Sequence, residues 1–125
     1  MSIDKFLQWQ WSGYHAAHRN RTNLLLHIVA VPLFMTATLL AVYGLVGLSL
    51  PAIAAAVPCF LVSLILQGRG HKLEATAPEP FRGSLNFIVR IFAEQWITFP
   101  RFVLTGGWFE NLSGALKKPA SLGEK

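Results

Sequence analysis

Four histidines lie at the two borders of one long apolar stretch, and their imidazoles are the groups best suited to chemistry in this chain. His15 and His18 precede the stretch, His27 lies just inside its start, and His71 follows its end. Imidazole nitrogens together with a carboxylate, which Glu74 offers, suit non-haem Fe(II) and also Zn or Mn. The sequence therefore predicts a metal site if the two borders meet in space.

The apolar stretch is long enough to bring its two borders together. Between Leu24 and Leu66 there is no Asp, Glu, Lys or Arg, whereas one membrane-spanning helix needs only about 20 apolar residues. Pro51 follows a short turn and suits the first turn of a second helix. We therefore predict two transmembrane passes, about 24–48 and 51–67, that form a hairpin and return the chain to its starting side.

The segments outside the hairpin combine aromatic residues with charges. A helix over about 3–17 and one or two helices over about 84–115 are expected at the membrane interface, where Trp and Tyr are favoured. A third pass through 85–109 is disfavoured because it would bury Arg90 and Glu94, which have the i,i+4 spacing of an ion pair. The predicted fold class is all-α, an integral membrane helical hairpin with flanking interfacial amphipathic helices.

Length and charge indicate one small domain at a membrane. The chain has 125 residues, 53% of them hydrophobic, and a formal net charge of +5. We expect one membrane domain over 1–117 and a flexible tail over 118–125. Basic residues flank the two passes but are absent from the turn between them, so both termini are predicted to be cytoplasmic.

The positions of the basic residues also predict the binding partner and the cellular location. The basic residues would meet anionic lipid headgroups, and no motif indicates nucleic-acid binding. The lipid bilayer is therefore the predicted partner, and a homo-oligomer stays open. The predicted location is a bacterial inner membrane, or the endoplasmic reticulum membrane in a eukaryote.

Helical spacing limits how the histidines can converge. Asn23 and His27 are four residues apart and share one helix face. His18 and His27 are nine apart, half a rotation out of phase, so they can meet only if the chain breaks between them, in a loop over 19–22. His71 and Glu74 would share a face of a helix. A haem b held by two histidines, or a non-catalytic membrane protein with interfacial histidines, remains an alternative.

Two motifs give this pattern a family resemblance. The segment Tyr14–Pro32 resembles the H-x-N-x-x-N-x-x-x-H-x-x-x-x-P motif of the membrane 2-hydroxy fatty acid dioxygenase family, typified by the yeast enzyme of alpha-oxidation. The segment Gln67–His71 resembles its second motif, Q-x-x-G-H, with a following Glu and Pro supplied by Glu74 and Pro78. The resemblance covers roughly Tyr14 to Phe109.

The resemblance implies an Fe(II)-dependent dioxygenase. Such an enzyme would use molecular oxygen, without 2-oxoglutarate, to shorten a 2-hydroxy fatty acid by one carbon. The iron ligands and catalytic residues would be His18, His27 and His71, with Glu74 as a further candidate ligand. Two features depart from the motifs: His15 has no counterpart, and Glu74 follows His71 by three residues where the pattern has four.

Nearby polar residues are expected to support such a site. Asn20, Asn23 or Gln67 would orient a ligand through hydrogen bonds. Arg69 or Lys72 would pair with the carboxylate of the fatty acyl substrate. Its acyl tail would then lie in a cleft between the two passes.

Overall fold

The fold is built from helices joined by short turns and one longer loop. The computed structural model describes residues 2–117, and the predicted flexible tail over 118–125 lies outside them. The helices are α1 (Ile3–Tyr14), α2 (Arg21–Val46), α3 (Leu50–His71), α4 (Ser84–Ala93), a π-helical turn (Glu94–Thr98), α5 (Phe99–Leu104) and α6 (Gly107–Lys117). The all-α prediction is confirmed.

Helices α2 and α3 form the predicted hairpin. The side chain of Asn20 caps α2 by accepting a hydrogen bond from the backbone N–H of Asn23 at 3.1 Å, and Ser49 caps the start of α3. Both helices are long and apolar enough to cross a membrane. Large apolar side chains such as Val29 and Leu39 face outward, where a bilayer would cover them.

Small residues bring the two long helices close together. Ala30, Ala37 and Ala56 are buried between or beside them, as expected where membrane helices approach through small side chains. The hydroxyl of Ser63 on α3 donates to the carbonyl oxygen of Ala30 on α2 at 2.6 Å. The two passes are therefore packed against each other at this level.

Helix α4 presents its apolar side outward. Leu85, Ile88 and Val89 are exposed, whereas Arg90 is buried. This orientation agrees with a helix lying against lipid. The predicted ion pair between Arg90 and Glu94 is not formed: the guanidinium of Arg90 donates instead to the carbonyl oxygens of Glu79 at 2.8 Å and Pro80 at 3.0 Å.

The π-helical turn changes which residues face the core. Regular α-helical spacing would place Phe99 on the same outward side as Phe92 and Trp96. The wider turn over Glu94–Thr98 shifts the phase, and Phe99 is buried with Phe102. They join a core at the end of the hairpin whose other buried members are Tyr14, Leu24, Val31 and Trp108.

Candidate metal centre

His18 and His27 are held in the same way. The Nδ1 atom of His18 lies 2.8 Å from the carbonyl oxygen of Tyr14, and Nδ1 of His27 lies 3.0 Å from that of Asn23. A carbonyl oxygen can only accept, so in the neutral imidazole each Nδ1 carries the proton and each Nε2 carries a lone pair. This is the arrangement in which histidines present Nε2 to a metal ion.

Four side chains from four parts of the chain converge at one point. His18 comes from the loop after α1, His27 from α2, His71 from the end of α3, and Glu94 from the π-helical turn. Their potential ligand atoms all lie within 4.8 Å of one another. The structure thus brings together the three histidines predicted from the sequence. It adds the carboxylate of Glu94, whose spacing in the sequence had indicated an ion pair with Arg90.

The converging nitrogens lack other partners. Among residues 2–117, Nε2 of His18, Nε2 of His27 and Nδ1 of His71 are buried with no hydrogen-bond partner. Buried polar atoms are normally paired, so three unpaired imidazole nitrogens in one cluster of side chains need an explanation. A shared cation would satisfy lone pairs on these imidazoles.

Glu94 supplies negative charge to this cluster. Its Oε2 lies 3.6 Å from Nε2 of His18 and 3.8 Å from Nε2 of His27. Burial disfavours its charged form, but the adjacent imidazole of His18, followed by those of His27 and His71, outweighs burial and lowers the pKa of Glu94 to about 2. Glu94 is therefore a carboxylate at neutral pH.

Tyr14 contacts both His18 and Glu94. Its hydroxyl donates to Oε2 of Glu94 at 2.9 Å, and its ring stacks on His18 with centroids 3.8 Å apart. Burial, followed by the charge of Glu94, raises the pKa of the Tyr14 phenol well above its usual value. The phenol thus stays protonated and remains a donor to Glu94.

Glu74 lies outside the cluster and has a different role. Its carboxylate accepts hydrogen bonds from the backbone N–H groups of Arg19 and Asn20 at 2.9–3.0 Å, and from the side-chain amide of Asn23 at 2.6 Å. These contacts fasten the loop that carries His18 to the segment after α3. Glu94, and not Glu74, is the carboxylate next to the imidazoles.

The glycine of the second motif allows α2 and α3 to meet at this level. A Cβ atom at Gly70 would collide with the side-chain oxygen of Asn23. Asn23 is fully buried, and its backbone carbonyl is the acceptor for His27. A side chain at Gly70 would therefore push apart the two helices that carry His27 and His71.

Gln67 is paired with a residue that the sequence analysis did not single out. The amide of Gln67 donates to Oε1 of Gln95 at 2.9 Å, and the amide of Gln95 donates back to Oε1 of Gln67 at 2.9 Å. Gln67 also donates to Ser63. This buried amide pair joins α3 to the π-helical turn one helical turn away from His71 and next to Glu94.

A cavity of about 700 Å³ opens beside the cluster. It lies among α1, the end of α3, the loop over 76–81 and α4, so it flanks the hairpin and is not the predicted cleft between the two passes. His18, His71 and Glu94 reach its wall, and Lys72 lines it, whereas Arg69 is exposed elsewhere. His15 lies apart from the cluster, edge-on to Trp11 and Phe102.

The donor set fits a bare metal ion. Ligand atoms bound at about 2.1 Å on opposite sides of an ion are about 4.2 Å apart, so the observed separations close with small side-chain rotations. A haem between two axial histidines fits less well. The three imidazole centroids lie 4.8–4.9 Å from one another, and the third imidazole and Glu94 occupy the space that a porphyrin would need.

Glu94 could have been found from one sequence signal. It is the only acidic residue between Ser84 and Phe109, a segment that is otherwise mostly apolar. A lone acid in such a segment is expensive to bury unless it has a function.

One comparison with known proteins agrees with the two motifs. A family model described as 2-hydroxy-palmitic acid dioxygenase Mpo1-like matches residues 5–103. Comparison with curated proteins and with solved structures gave no match. The matched segment contains both long helices and all four residues of the cluster. Because it also covers most of the chain, the protein belongs to the Mpo1-like family.

Proposed function

We propose that this protein is an Fe(II)-dependent membrane dioxygenase that shortens a 2-hydroxy fatty acid by one carbon. The observation that carries the proposal is the convergence of three unpaired imidazole nitrogens and one carboxylate beside a large cavity. Imidazole and carboxylate ligands suit several divalent metals. The choice of iron rests on the dioxygenase named in the family description.

His18, His27, His71 and Glu94 would hold the ion. When bound, Fe(II) would supply the redox chemistry that the activation of molecular oxygen requires. Tyr14 and the carbonyl of Asn23 would keep the ligands oriented. The cavity, whose wall His18, His71 and Glu94 reach, would give oxygen and substrate access to the ion held by these residues.

Residues at the cavity mouth would position the substrate. Lys72 directly follows His71 and lines the cavity, so its ammonium group can pair with the carboxylate of a 2-hydroxy acid. The adjacent C2 atom would then lie near the imidazole cluster. Arg69 is a weaker candidate for this contact because it does not line the cavity.

The proposed reaction balances without another reductant. A 2-hydroxy acid and one O₂ give the acid one carbon shorter, carbon dioxide and water. The bond between C1 and C2 breaks, C2 becomes the new carboxyl carbon, and four electrons pass from the two carbons to oxygen. No 2-oxoglutarate is consumed.

The proposed membrane location rests on the length and apolar composition of α2 and α3 and on the charges that flank them. The two long helices would span a bacterial inner membrane, with both termini and the cavity mouth on the cytoplasmic side. Substrate would then be drawn from the adjacent leaflet.

Anaerobic loading with Fe(II) followed by product analysis tests the proposal. The loaded protein, given oxygen and a panel of 2-hydroxy fatty acids, should release acids one carbon shorter, measured by mass spectrometry. His27→Ala should lose iron and turnover together while still inserting into the membrane. His15→Ala is the matched control and should retain both. Stoichiometric iron without any shortened acid would refute the activity, and normal iron in His27→Ala would refute the site.

A further inference from the structure

A small apolar groove adjoins the cavity beside the cluster. It has a volume of about 170 Å³ and is lined only by apolar side chains. Leu64, Phe87 and Ile91 line both the cavity and the groove. The two spaces therefore meet at these three side chains, and a ligand with its head in the cavity would have to pass between them to reach the groove.

The groove runs toward the middle of the membrane-spanning helices. Along α3, His71 lies at the cluster and Phe60 lies in the groove, eleven residues closer to the hairpin turn. At 1.5 Å per residue this is about 16 Å along the helix axis. The hydrocarbon core of a bilayer is about 30 Å thick, so one leaflet is filled by tails about 15 Å deep. The depth matches a long acyl chain.

Three of the phenylalanines that line the groove pack against one another. Phe34 of α2 lies 5.0 Å from Phe60 of α3 and 5.0 Å from Phe92 of α4, measured between ring centroids. Phe34 is almost fully buried, so the innermost ring is fixed by its surroundings. These three packed rings form one wall of the groove.

We infer that this groove binds the acyl chain of a long-chain 2-hydroxy acid, and that the wall formed by Phe34, Phe60 and Phe92 sets the chain length. The inference rests on the proposed function for the identity of the ligand. The head would lie at Lys72 and the imidazole cluster, and the chain would pass Leu64. Each methylene that fits before the wall should tighten binding roughly fourfold, and the gain should stop where the chain reaches the rings.

Photocrosslinking of the metal-free protein in lipid nanodiscs tests the path of the chain. The probe is a long-chain 2-hydroxy acid with a diazirine at its terminal carbon, and the modified residues are found by mass spectrometry. We expect adducts on Phe60, Phe92 and their neighbours. Adducts on α1 or on the loop over 76–81 would overturn the inference. So would adducts spread over outward-facing residues such as Val29, since they indicate bulk lipid only.

Two variants test the specificity. Leu64→Trp should fill the junction between cavity and groove, and reduce crosslinking of the long-chain probe by about tenfold or more while a short-chain 2-hydroxy acid still competes for the cavity. Phe60→Ala should shift the preference toward longer acids. Leu61→Trp is the matched control, because Leu61 is exposed on the outer side of α3. Equal loss in Leu61→Trp and Leu64→Trp would count against a specific groove.

These measurements separate the inference from the proposed activity. Crosslinking needs neither metal nor turnover. Terminal-carbon adducts at Phe60 without any turnover would support the acyl site and contradict the dioxygenase activity. Turnover together with adducts spread over outward-facing residues would support the dioxygenase activity and contradict the acyl site.

Discussion

The side-chain amide of Asn111 donates a hydrogen bond to the backbone carbonyl of His18 at 2.8 Å. The same amide donates to the carbonyl of His15 at 3.1 Å, and Trp108 on the same helix donates to the carbonyl of Leu24 at 2.9 Å. Helix α6 thus contacts both the loop between α1 and α2 and the first turn of α2. It holds His18 at a fixed distance from the helix that carries His27, although it lies beyond the segment matched by the family model.

Replacing Asn111 by Leu should weaken metal binding without removing a ligand. The loop that carries His18 would lose two hydrogen bonds and become more mobile. Loss of such outer partners typically lowers metal affinity about 10- to 100-fold. Titration with Co(II) or Fe(II) would measure the change. Ser113→Ala, at an exposed position of the same helix, should bind metal normally, and equal affinities for the two variants would show that Asn111 has no positioning role.

The two carboxylates near the site should respond differently to loss of charge. The Glu94→Gln variant should bind the metal much more weakly than the unchanged protein, because the amide that replaces the carboxylate is a poor ligand. Glu74→Gln should keep the metal but unfold several degrees lower, since hydrogen bonds to a charged group contribute about 1.5–3 kcal/mol. Metal analysis and thermal unfolding in detergent would measure both effects. The reverse pattern would restore Glu74 as the ligand.

The buried amide pair should show strong coupling between its two members. Gln67→Leu or Gln95→Leu alone leaves one buried amide unpaired, which costs about 1–3 kcal/mol. The double replacement removes both polar groups and should be less destabilising than the sum of the single changes. A double-mutant cycle of unfolding free energies would measure this difference. Additive effects would mean that the two amides do not depend on each other for hydrogen bonding.

Site-directed labelling should establish the topology. In a Cys59→Ala background, single cysteines at Lys5 and Arg82 should react with an impermeant reagent from the same side of the membrane. A cysteine at Ser49, in the hairpin turn, should react from the opposite side. Labelling of the positions at Lys5 and Arg82 from different sides would contradict the hairpin and the shared site.

The hairpin could be predicted from the sequence because charge and length alone determine it. The uncharged stretch from Leu24 to Leu66 is about twice as long as one span requires, and its ends must return to the same side. The meeting of His18, His27 and His71 at those ends follows from the same geometry together with the two motifs. The cap by Asn20 marks the chain break that allows His18 to approach His27.

Helical periodicity paired Glu94 with Arg90, and this was wrong because periodicity assumes a regular helix. The four-residue spacing of Glu94 from Arg90 indicated an ion pair on one α-helical face. Arg90 instead binds the carbonyls of Glu79 and Pro80, which lie in a loop whose course the sequence does not reveal. The wider turn after Ala93 also has no periodic signature, so the burial of Gln95 and Phe99 could not be derived.

The orientation of every residue after Ala93 depends on the π-helical turn over Glu94–Thr98. A π-helical turn is equivalent to an α-helix that has gained one residue. Deleting one residue there would restore a regular helix and rotate everything after it by about 100°. Phe99 and Phe102 would then leave the core, and α6 would lose its contact with His18. A single codon gained or lost in a gene could therefore separate a chain that assembles this cluster from one that does not, with every ligand residue still encoded.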